Sequence, residues 1–120
     1  MELIKVVNAR KVLDSFADRE EICAHLAYWM TKFVVKTESE QTFYYNEMNK
    51  LFEKHAEKNE DETLFIPNER IAEFNQAVEA LNQTNVEDPG IRFNLSELAT
   101  ELRLSMKQMY PLLDFIDEEK

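Results

Sequence analysis

The longest periodic pattern in the chain covers residues 18–58, which contain neither Pro nor Gly. Apolar and aromatic side chains recur there at steps of three and four, which is typical of one buried helical face. The stripe consists of Ile22, Leu26, Trp29, Met30, Phe33, Tyr44, Met48, Leu51, Phe52 and His55. Thr37 and Glu40 hold its phase through a polar middle, so the pattern permits one helix of about 60 Å. The alternative is two helices that meet at residues 37–40, where Thr37 and Glu40 fit a capping box and average helix lengths favour a break.

The segment before that stretch predicts one short strand and one short helix. Residues 3–7 are rich in β-branched side chains, which favours a strand. Asn8 then fits the cap of the helix that follows. The apolar face of this helix consists of Val12, Leu13 and Phe16. Asp18 is the next predicted cap, since Glu20 and Glu21 follow it where a helix dipole favours negative charge.

The middle of the chain predicts a turn, a strand and a helix. Residues 59–62 form an acidic turn, and residues 63–66 favour a second short strand that Pro67 ends. Asn68 is expected to cap a helix over residues 69–82. The buried face of this helix is expected to consist of Ile71, Phe74, Ala77, Val78 and Leu81.

The last part of the chain predicts a turn, a third strand and two short helices. Residues 88–90 read Asp-Pro-Gly and form the clearest turn, and residues 91–94 alternate as a strand does. The spacing of a capping box occurs twice, at Asn94 with Glu97 and at Ser105 with Gln108. Pro111 must bend or restart the last helix. The side chains expected to pack after it are Leu112, Leu113, Phe115 and Ile116, before a solvated tail at residues 117–120.

These patterns predict a mainly α fold, and residues 1–120 suit a single domain. One Gly and three Pro leave few turns, so helices should dominate. We expect a compact helical domain with one long or bent central helix at about residues 18–58. The three short strands would form at most a minor β-sheet, or they are simply extended connections.

Acidic residues outnumber basic residues by 24 to 14, and the excess is uneven along the chain. Residues 1–36 carry six basic and five acidic side chains, whereas residues 37–62 carry three and eight. Residues 63–90 carry one basic and five acidic side chains. Direct binding to nucleic acid is not expected, because that affinity comes mainly from Lys and Arg at phosphates. The acidic surface either serves solubility or complements a basic partner protein.

The sequence offers little for catalysis, metals or membranes. His25 and His55 lie 30 residues apart, and no spacing typical of a transition-metal site occurs. Residues 59–62 lack the alternating ligands and the glycine of a calcium loop. Cys23 lies on an apolar face and is expected to be a small buried side chain. No apolar run reaches the roughly 20 residues of a membrane span, and residues 1–5 do not form a signal peptide. We therefore expect a cytoplasmic protein that is not an enzyme and has no cofactor.

The aromatic side chains of the long stretch are candidates for a protein interface. Tyr44 and Trp29 lie on the stripe and are expected in the core, whereas Tyr28 and Tyr45 lie off it. An exposed Tyr favours an interface, because it gives a large contact area and a hydrogen bond. The predicted partner-binding residues are these two tyrosines and six acidic residues, Glu38, Glu40, Glu47, Glu60, Asp61 and Glu62. So long an apolar helix in so short a chain also allows a homo-oligomer.

Residues 40–117 resemble small helical proteins encoded by tailed bacteriophages and prophages. Three segments carry the resemblance: Glu-Met-Asn-Lys-Leu-Phe-Glu-Lys-His at 47–55, Ile-Pro-Asn-Glu-Arg-Ile at 66–71 and Ser-Met-Lys-Gln-Met-Tyr-Pro at 105–111. The resemblance implies a phage origin, with action inside the bacterial host or in the virus particle. It supplies no functional residues.

The leading functional hypothesis is an acidic, phage-type protein that binds a host or defence protein and inhibits it at a basic nucleic-acid-binding surface. The alternative is a virion or assembly component that oligomerises through the long helix. An enzyme of unknown type is the second alternative.

Overall fold

The computed structural model describes residues 1–117, which form an elongated molecule of 53 × 30 × 25 Å. The predicted mainly α fold is confirmed. The helices are α1 Leu3–Asp14, α2 Ala24–Lys36, α3 Glu38–His55, α4 Asn68–Asn82, α5 Leu95–Glu101, α6 Met106–Met109 and a 3-10 helix, Tyr110–Phe115. Four strands of two residues each accompany them: β1 Glu57–Lys58, β2 Leu64–Phe65, β3 Phe93–Asn94 and β4 Ile116–Asp117.

Helix α1 contributes to both hydrophobic clusters of the molecule. Val6, Ala9 and Leu13 belong to the larger cluster, and Leu3 and Val7 belong to the smaller one. The strand predicted at residues 3–7 is therefore wrong, and residue 8 lies inside α1 instead of capping a later helix. A helix wins over the local β preference because steps of three and four bury side chains on two sides of α1 at once.

The larger cluster joins α1 to α2, α5 and the 3-10 helix, and we call these four elements the body. Its buried members beyond α1 are Phe16, Leu26, Met30, Phe33, Ile91, Phe93, Leu98, Leu102, Leu112 and Phe115. Phe33 lies at the centre, with ring centroids 5.0 Å from Phe115 and 5.9 Å from Phe93. The smaller cluster adds Tyr44 of α3 and Leu81 of α4, so it attaches those two helices to α1.

The long periodic stretch forms two helices, which confirms the broken alternative. The break is the single residue Thr37, buried to 2% exposure. The predicted capping box is wrong, because the Thr37 hydroxyl donates to the Phe33 carbonyl at 2.7 Å instead of capping α3. Such a bond to the carbonyl four residues back competes with regular helix and accompanies bends. Arg10 of α1 fixes the start of α3, with its Nη2 2.6 Å from the Glu38 carboxylate.

The helix predicted after Asp18 begins later, at Ala24. Residues 15–22 form turns, and Cys23 occupies the position before the helix. The Cys23 N–H donates to the Glu101 carboxylate at 2.6 Å. A carboxylate of α5 thus lies at the positive end of the α2 dipole. The sequence predicted Glu20 and Glu21 in that position.

The strands form two separate pairs, so the three predicted strands do not share a sheet. β1 and β2 make an antiparallel hairpin, with Glu57 opposite Phe65 and Lys58 opposite Leu64. β3 pairs in parallel with β4, which was not predicted. The predicted tail therefore begins with an ordered residue, Asp117, and its remaining residues lie outside the described part of the chain.

Most local signals in the last half are confirmed, with two corrections. The Ser105 capping box forms with both bonds, and Asn94 caps α5 through the Glu97 N–H. The chain changes to a 3-10 helix at Tyr110, where Pro111 removes an N–H. Asn68 is the first residue of α4 and makes no cap bond. On the predicted buried face of α4, Leu81 is buried but Ile71 is 40% exposed.

Candidate protein-binding surface on the arm

The outer parts of α3 and α4 and the hairpin between them, residues 49–80, are mostly exposed, and we call them the arm. Only His55 and Pro67 are buried in this range. The wider segment 37–90 carries four basic and thirteen acidic side chains, so it holds −9 of the net charge of −10. The arm itself carries four basic and eight acidic side chains, so it is a mostly exposed and acidic part of this segment.

Aromatic packing within the arm keeps its two helices together. Phe74 of α4 lies edge-on to Phe52, with centroids 6.4 Å apart, and to His55 at 5.7 Å. His55 Nδ1 lies 2.8 Å from the Leu51 carbonyl, which can only accept, so this nitrogen carries the proton. His55 Nε2 has no hydrogen-bond partner within residues 1–117 and faces the Glu73 carboxylate at 3.5 Å. These contacts hold α3 and α4 side by side and so position the hairpin at their end.

The end of the arm is a tight acidic turn, and we call residues 59–65 the tip. The Asn59 N–H donates to the Thr63 carbonyl at 2.8 Å, and the Glu62 N–H donates to the Asn59 carbonyl at 3.0 Å. Glu62 has a φ of 69°, in the left-handed region of the backbone that residues other than Gly seldom adopt. The predicted acidic turn is confirmed, and its backbone has a defined shape.

The three acidic side chains of the tip have different roles. Asp61 accepts from the Thr63 hydroxyl at 2.7 Å and from the Thr63 N–H at 3.2 Å. These bonds lower the pKa of the Asp61 carboxyl below its usual range and commit this side chain to the turn. The Glu60 and Glu62 side chains are exposed and make no hydrogen bond or ion pair within the described residues. Glu60 and Glu62 are therefore the charges available to a partner.

Exposed apolar side chains lie next to these charges in the sequence. Leu64 is 47% exposed and Phe65 is 38% exposed, on the strand that follows the turn. Ile71, in the second turn of α4, is 40% exposed. Leu64 and Phe65 were not among the predicted partner-binding residues, because residues 63–66 predict a strand. A hairpin of two-residue strands has no sheet to cover it, so both side chains remain in solvent.

The other acidic residues predicted to bind a partner are not part of the tip. Glu38 forms the ion pair with Arg10, and Glu47 forms one with Lys50 at 3.1 Å. Glu40 is half-buried and accepts from the Ser39 hydroxyl at 3.0 Å. Four of the six predicted carboxylates therefore have local structural partners. Only the side chains of Glu60 and Glu62 have none within residues 1–117.

The two predicted anchor tyrosines lie on different helices. Tyr28 of α2 is 55% exposed, and Tyr45 of α3 is 38% exposed. The Tyr45 ring packs on the buried Tyr44 at 5.7 Å and lies 5.7 Å from the Lys11 ammonium. Tyr44 is in the core, as predicted. No hydrogen bond, ion pair or ring contact among residues 1–117 joins either exposed tyrosine to the tip, so the predicted residues do not form one site.

A second exposed surface runs along α2, and we call it the α2 stripe. It consists of Tyr28, Trp29, Lys32, Val35 and Lys36, which are all exposed. The prediction that Trp29 is in the core is wrong, since this side chain is 38% exposed and packs against Tyr28 at 5.2 Å. The helical period does indicate this exposed face, because Tyr28 and Val35 are two turns apart on the side of α2 opposite the buried Leu26 and Phe33. Helix α2 contains no Asp or Glu.

The remaining polar cluster joins α2 to α5. The Glu97 carboxylate lies 2.9 Å from His25 Nδ1 and accepts from the Cys23 thiol at 3.7 Å. Cys23 is half-buried, and His25 and His55 lie in separate clusters. Among residues 1–117, no group of three or more His, Cys, Asp and Glu side chains is placed to hold a metal ion. This cluster caps the start of α2 and fixes α5 against it.

Of the helices within residues 1–117, none combines the length and the apolar character that crossing a bilayer requires. Comparison with protein-family models, with curated proteins and with solved structures gives no match.

Proposed function

We propose that this chain is a non-enzymatic, phage-type protein that works in the cytoplasm of a bacterial host by binding another protein. The tip is the contact surface, and the partner is a host or defence protein with a basic surface. The observation that carries the proposal is the combination at the tip. Within residues 1–117, the Glu60 and Glu62 side chains make no hydrogen bond or ion pair, and exposed Leu64 and Phe65 follow them at the end of a hydrogen-bonded turn.

This combination suits a protein interface for two physical reasons. Unpaired carboxylates attract a basic partner and raise the rate of encounter. Apolar side chains beside them supply the area whose burial keeps the complex together. A surface that binds nucleic acid is basic, because it must neutralise phosphates. A tip that occupies such a surface excludes nucleic acid from it, and so we propose inhibition as the consequence of binding.

The test is capture of a partner from a bacterial extract by the immobilised chain, followed by purification of that partner. The matched variants are Glu60→Lys with Glu62→Lys, and Asp18→Lys with Glu20→Lys as the control. Each pair is exposed, two residues apart, and changes the net charge equally. Asp61 is left in place because it holds the turn. We expect the tip pair to abolish binding and the control pair to preserve it.

Two further measurements define the mode of binding. Affinity should fall as salt rises, since charges at an exposed contact are screened within about 10 Å at 0.1 M ionic strength. DNA or RNA should compete with the chain for the partner. Equal binding by both charge-reversed variants would exclude the tip as the contact surface. Binding that nucleic acid does not affect would exclude inhibition at a nucleic-acid-binding surface.

A second candidate function is a virion or assembly component that self-associates. The observation that favours it is the α2 stripe, since Tyr28 and Val35 are 55% and 67% exposed on a helix of the body. Exposed apolar side chains grouped on one helix face are typical of an interface. Self-association that persists at high salt and capture of phage proteins alone would support this function over the first.

A further inference from the structure

The α2 stripe and the tip have complementary chemistry. The stripe combines aromatic and aliphatic side chains with Lys32 and Lys36, on a helix without Asp or Glu. The Lys36 ammonium donates to the Pro89 carbonyl at 3.2 Å, and neither lysine forms an ion pair within residues 1–117. The tip combines three acidic side chains with exposed Leu64 and Phe65, and it has no basic residue. Each surface thus offers apolar area together with the charge that the other lacks.

We propose that the tip of one copy of this chain docks on the α2 stripe of a second copy. The inference rests on the proposed use of the tip as a protein-binding surface, and it adds a competing ligand for that surface. In the docked pair, Glu60 and Glu62 lie against Lys32 and Lys36, while Leu64 and Phe65 lie against Tyr28 and Val35. Self-association therefore covers the tip until a basic partner displaces the second copy.

The contact must form between copies and not within one chain. Helix α2 ends beside Thr37, where α3 begins. The 18 residues of α3 then place the tip about 27 Å further along a continuous helix. Packing of Tyr44 and Leu81 against α1 fixes the direction of the arm. No hydrogen bond, ion pair or ring contact within residues 1–117 joins 56–67 to α2.

Contacts between two different surfaces follow a simple symmetry rule. They produce a closed dimer when both tips dock reciprocally, and they produce a ring or an open chain of copies when they do not. Either product contains the same tip–stripe contact, so the test concerns the contact and not the number of copies.

The first measurement is sedimentation of the full-length chain over a wide range of protein concentration. We expect self-association at low salt that weakens as salt rises. Reversal of the tip by Glu60→Lys with Glu62→Lys should weaken it by about tenfold or more, since like charges then oppose each other. Reversal of the stripe by Lys32→Glu with Lys36→Glu should have the same effect. Val35→Ser should weaken self-association at low and at high salt alike, because it removes apolar area without changing the charge.

Two combinations then test the pairing itself. Both reversals in one chain exchange the signs of the surfaces and should restore self-association. Mixing the two singly reversed proteins should also restore it, because one supplies an intact tip and the other an intact stripe. The control reversals are Arg103→Glu with Lys107→Glu for the stripe and Asp18→Lys with Glu20→Lys for the tip, and both should leave self-association unchanged.

A wild-type chain that stays monomeric at every concentration would overturn the inference, and so would self-association that neither reversal weakens. The inference would also be overturned if self-association were restored neither in the doubly reversed chain nor in the mixture. A monomer that still captures a basic partner through its tip would leave the proposed function standing. A chain that self-associates through both surfaces but captures no basic partner would retain the inference and remove the first proposed function.

Discussion

The body and the arm are both built mainly from helices, but they are stabilised in different ways. In the body, side chains such as Phe33, Leu98 and Phe115 are completely buried in one cluster that joins four elements. In the arm, 32 consecutive residues contain only two buried ones, and ring contacts between α3 and α4 provide the packing. The stability of the body therefore depends on the volumes of its buried side chains. The structure of the arm depends mainly on its two helices and the hairpin that joins them. Surface residues of the arm can change without loss of the fold, which suits a surface used for binding.

The largest expected effect comes from truncating the centre of the body. Phe33→Ala should lower the free energy of unfolding by about 3–5 kcal/mol, because it leaves a cavity among fully buried side chains. The same truncation in the arm, Phe65→Ala, should cost less than about 1 kcal/mol, since that ring is 38% exposed. Urea denaturation of the two variants measures both values. Similar losses would mean that the arm is packed as tightly as the body.

Hydrogen exchange should separate the two regions without any mutation. Amides of α1 between Val6 and Leu13 are expected to exchange only when the whole chain unfolds. Amides of the hairpin and the first turns of α4 are expected to exchange through local opening, with protection about a hundredfold lower or more. Native-state exchange followed by NMR distinguishes these cases. Uniform protection along residues 3–80 would contradict the comparison.

A smaller effect is expected at the caps of the short helices. Ser105 accepts the Gln108 N–H at 3.2 Å, and the Gln108 side chain accepts the Ser105 N–H at 2.9 Å. Ser105→Ala should therefore lower the free energy of unfolding by about 1 kcal/mol. The matched change at the start of α3, Ser39→Ala, should cost less than about 0.5 kcal/mol, because Ser39 caps nothing. An equal loss in denaturation would show that the Ser105 box contributes nothing specific.

The smallest effect concerns the turn that leads from the arm back to the body. Bonds from the Arg92 guanidinium and from the Gly90 N–H lower the pKa of Asp88 to about 2, from 3.8. Since this folded-state pKa is depressed, its stabilisation is present above pH 3.8 and is lost as the pH falls through about 2. The pair is more than a third exposed, so solvent screening limits its contribution to under about 1 kcal/mol.

Asp88→Asn tests this contribution. The wild-type chain should be slightly more stable than the variant at neutral pH, and the difference should shrink as the pH falls from 4 towards 2. A carboxyl carbon titration by NMR should place the Asp88 midpoint near the lower end of that range. If the difference in stability does not change with pH, the effect of Asp88→Asn does not come from the carboxylate charge.

Local chemistry accounts for the features that were predicted correctly. Pro67 and the residues after it placed α4, and the two capping pairs placed α5 and α6, because such signals act within one helical turn. The break at Thr37 was also among the predictions, although its cause was not. The capping box does not form, because the buried Thr37 hydroxyl donates to the Phe33 carbonyl in the preceding turn and accepts no N–H of α3. A sequence pattern does not say which of two local partners a buried hydroxyl takes.

The candidate site was predicted only in part, for a similar reason. Glu60 and Glu62 were recognised as exposed charges, but Asp61 was grouped with them although it holds the turn through Thr63. Trp29 was assigned to the core because it fits the helical period. Its exposure depends on which neighbours cover α2, and that is decided by the placement of α1 and α5. Leu64 and Phe65 remain largely exposed because a hairpin of two-residue strands buries neither of its faces.

The sequence by itself determined that the chain is mainly helical, where most helices end, and that its acidic charge is concentrated in residues 37–90. These properties follow from period, caps and composition, which act over a few residues. Only the tertiary structure decided that residues 3–7 form a helix, that a carboxylate of α5 caps α2, and that the tip and the α2 stripe remain uncovered. Those outcomes depend on contacts between residues far apart in the chain, and a contact of that kind can reverse a local preference of about 1 kcal/mol.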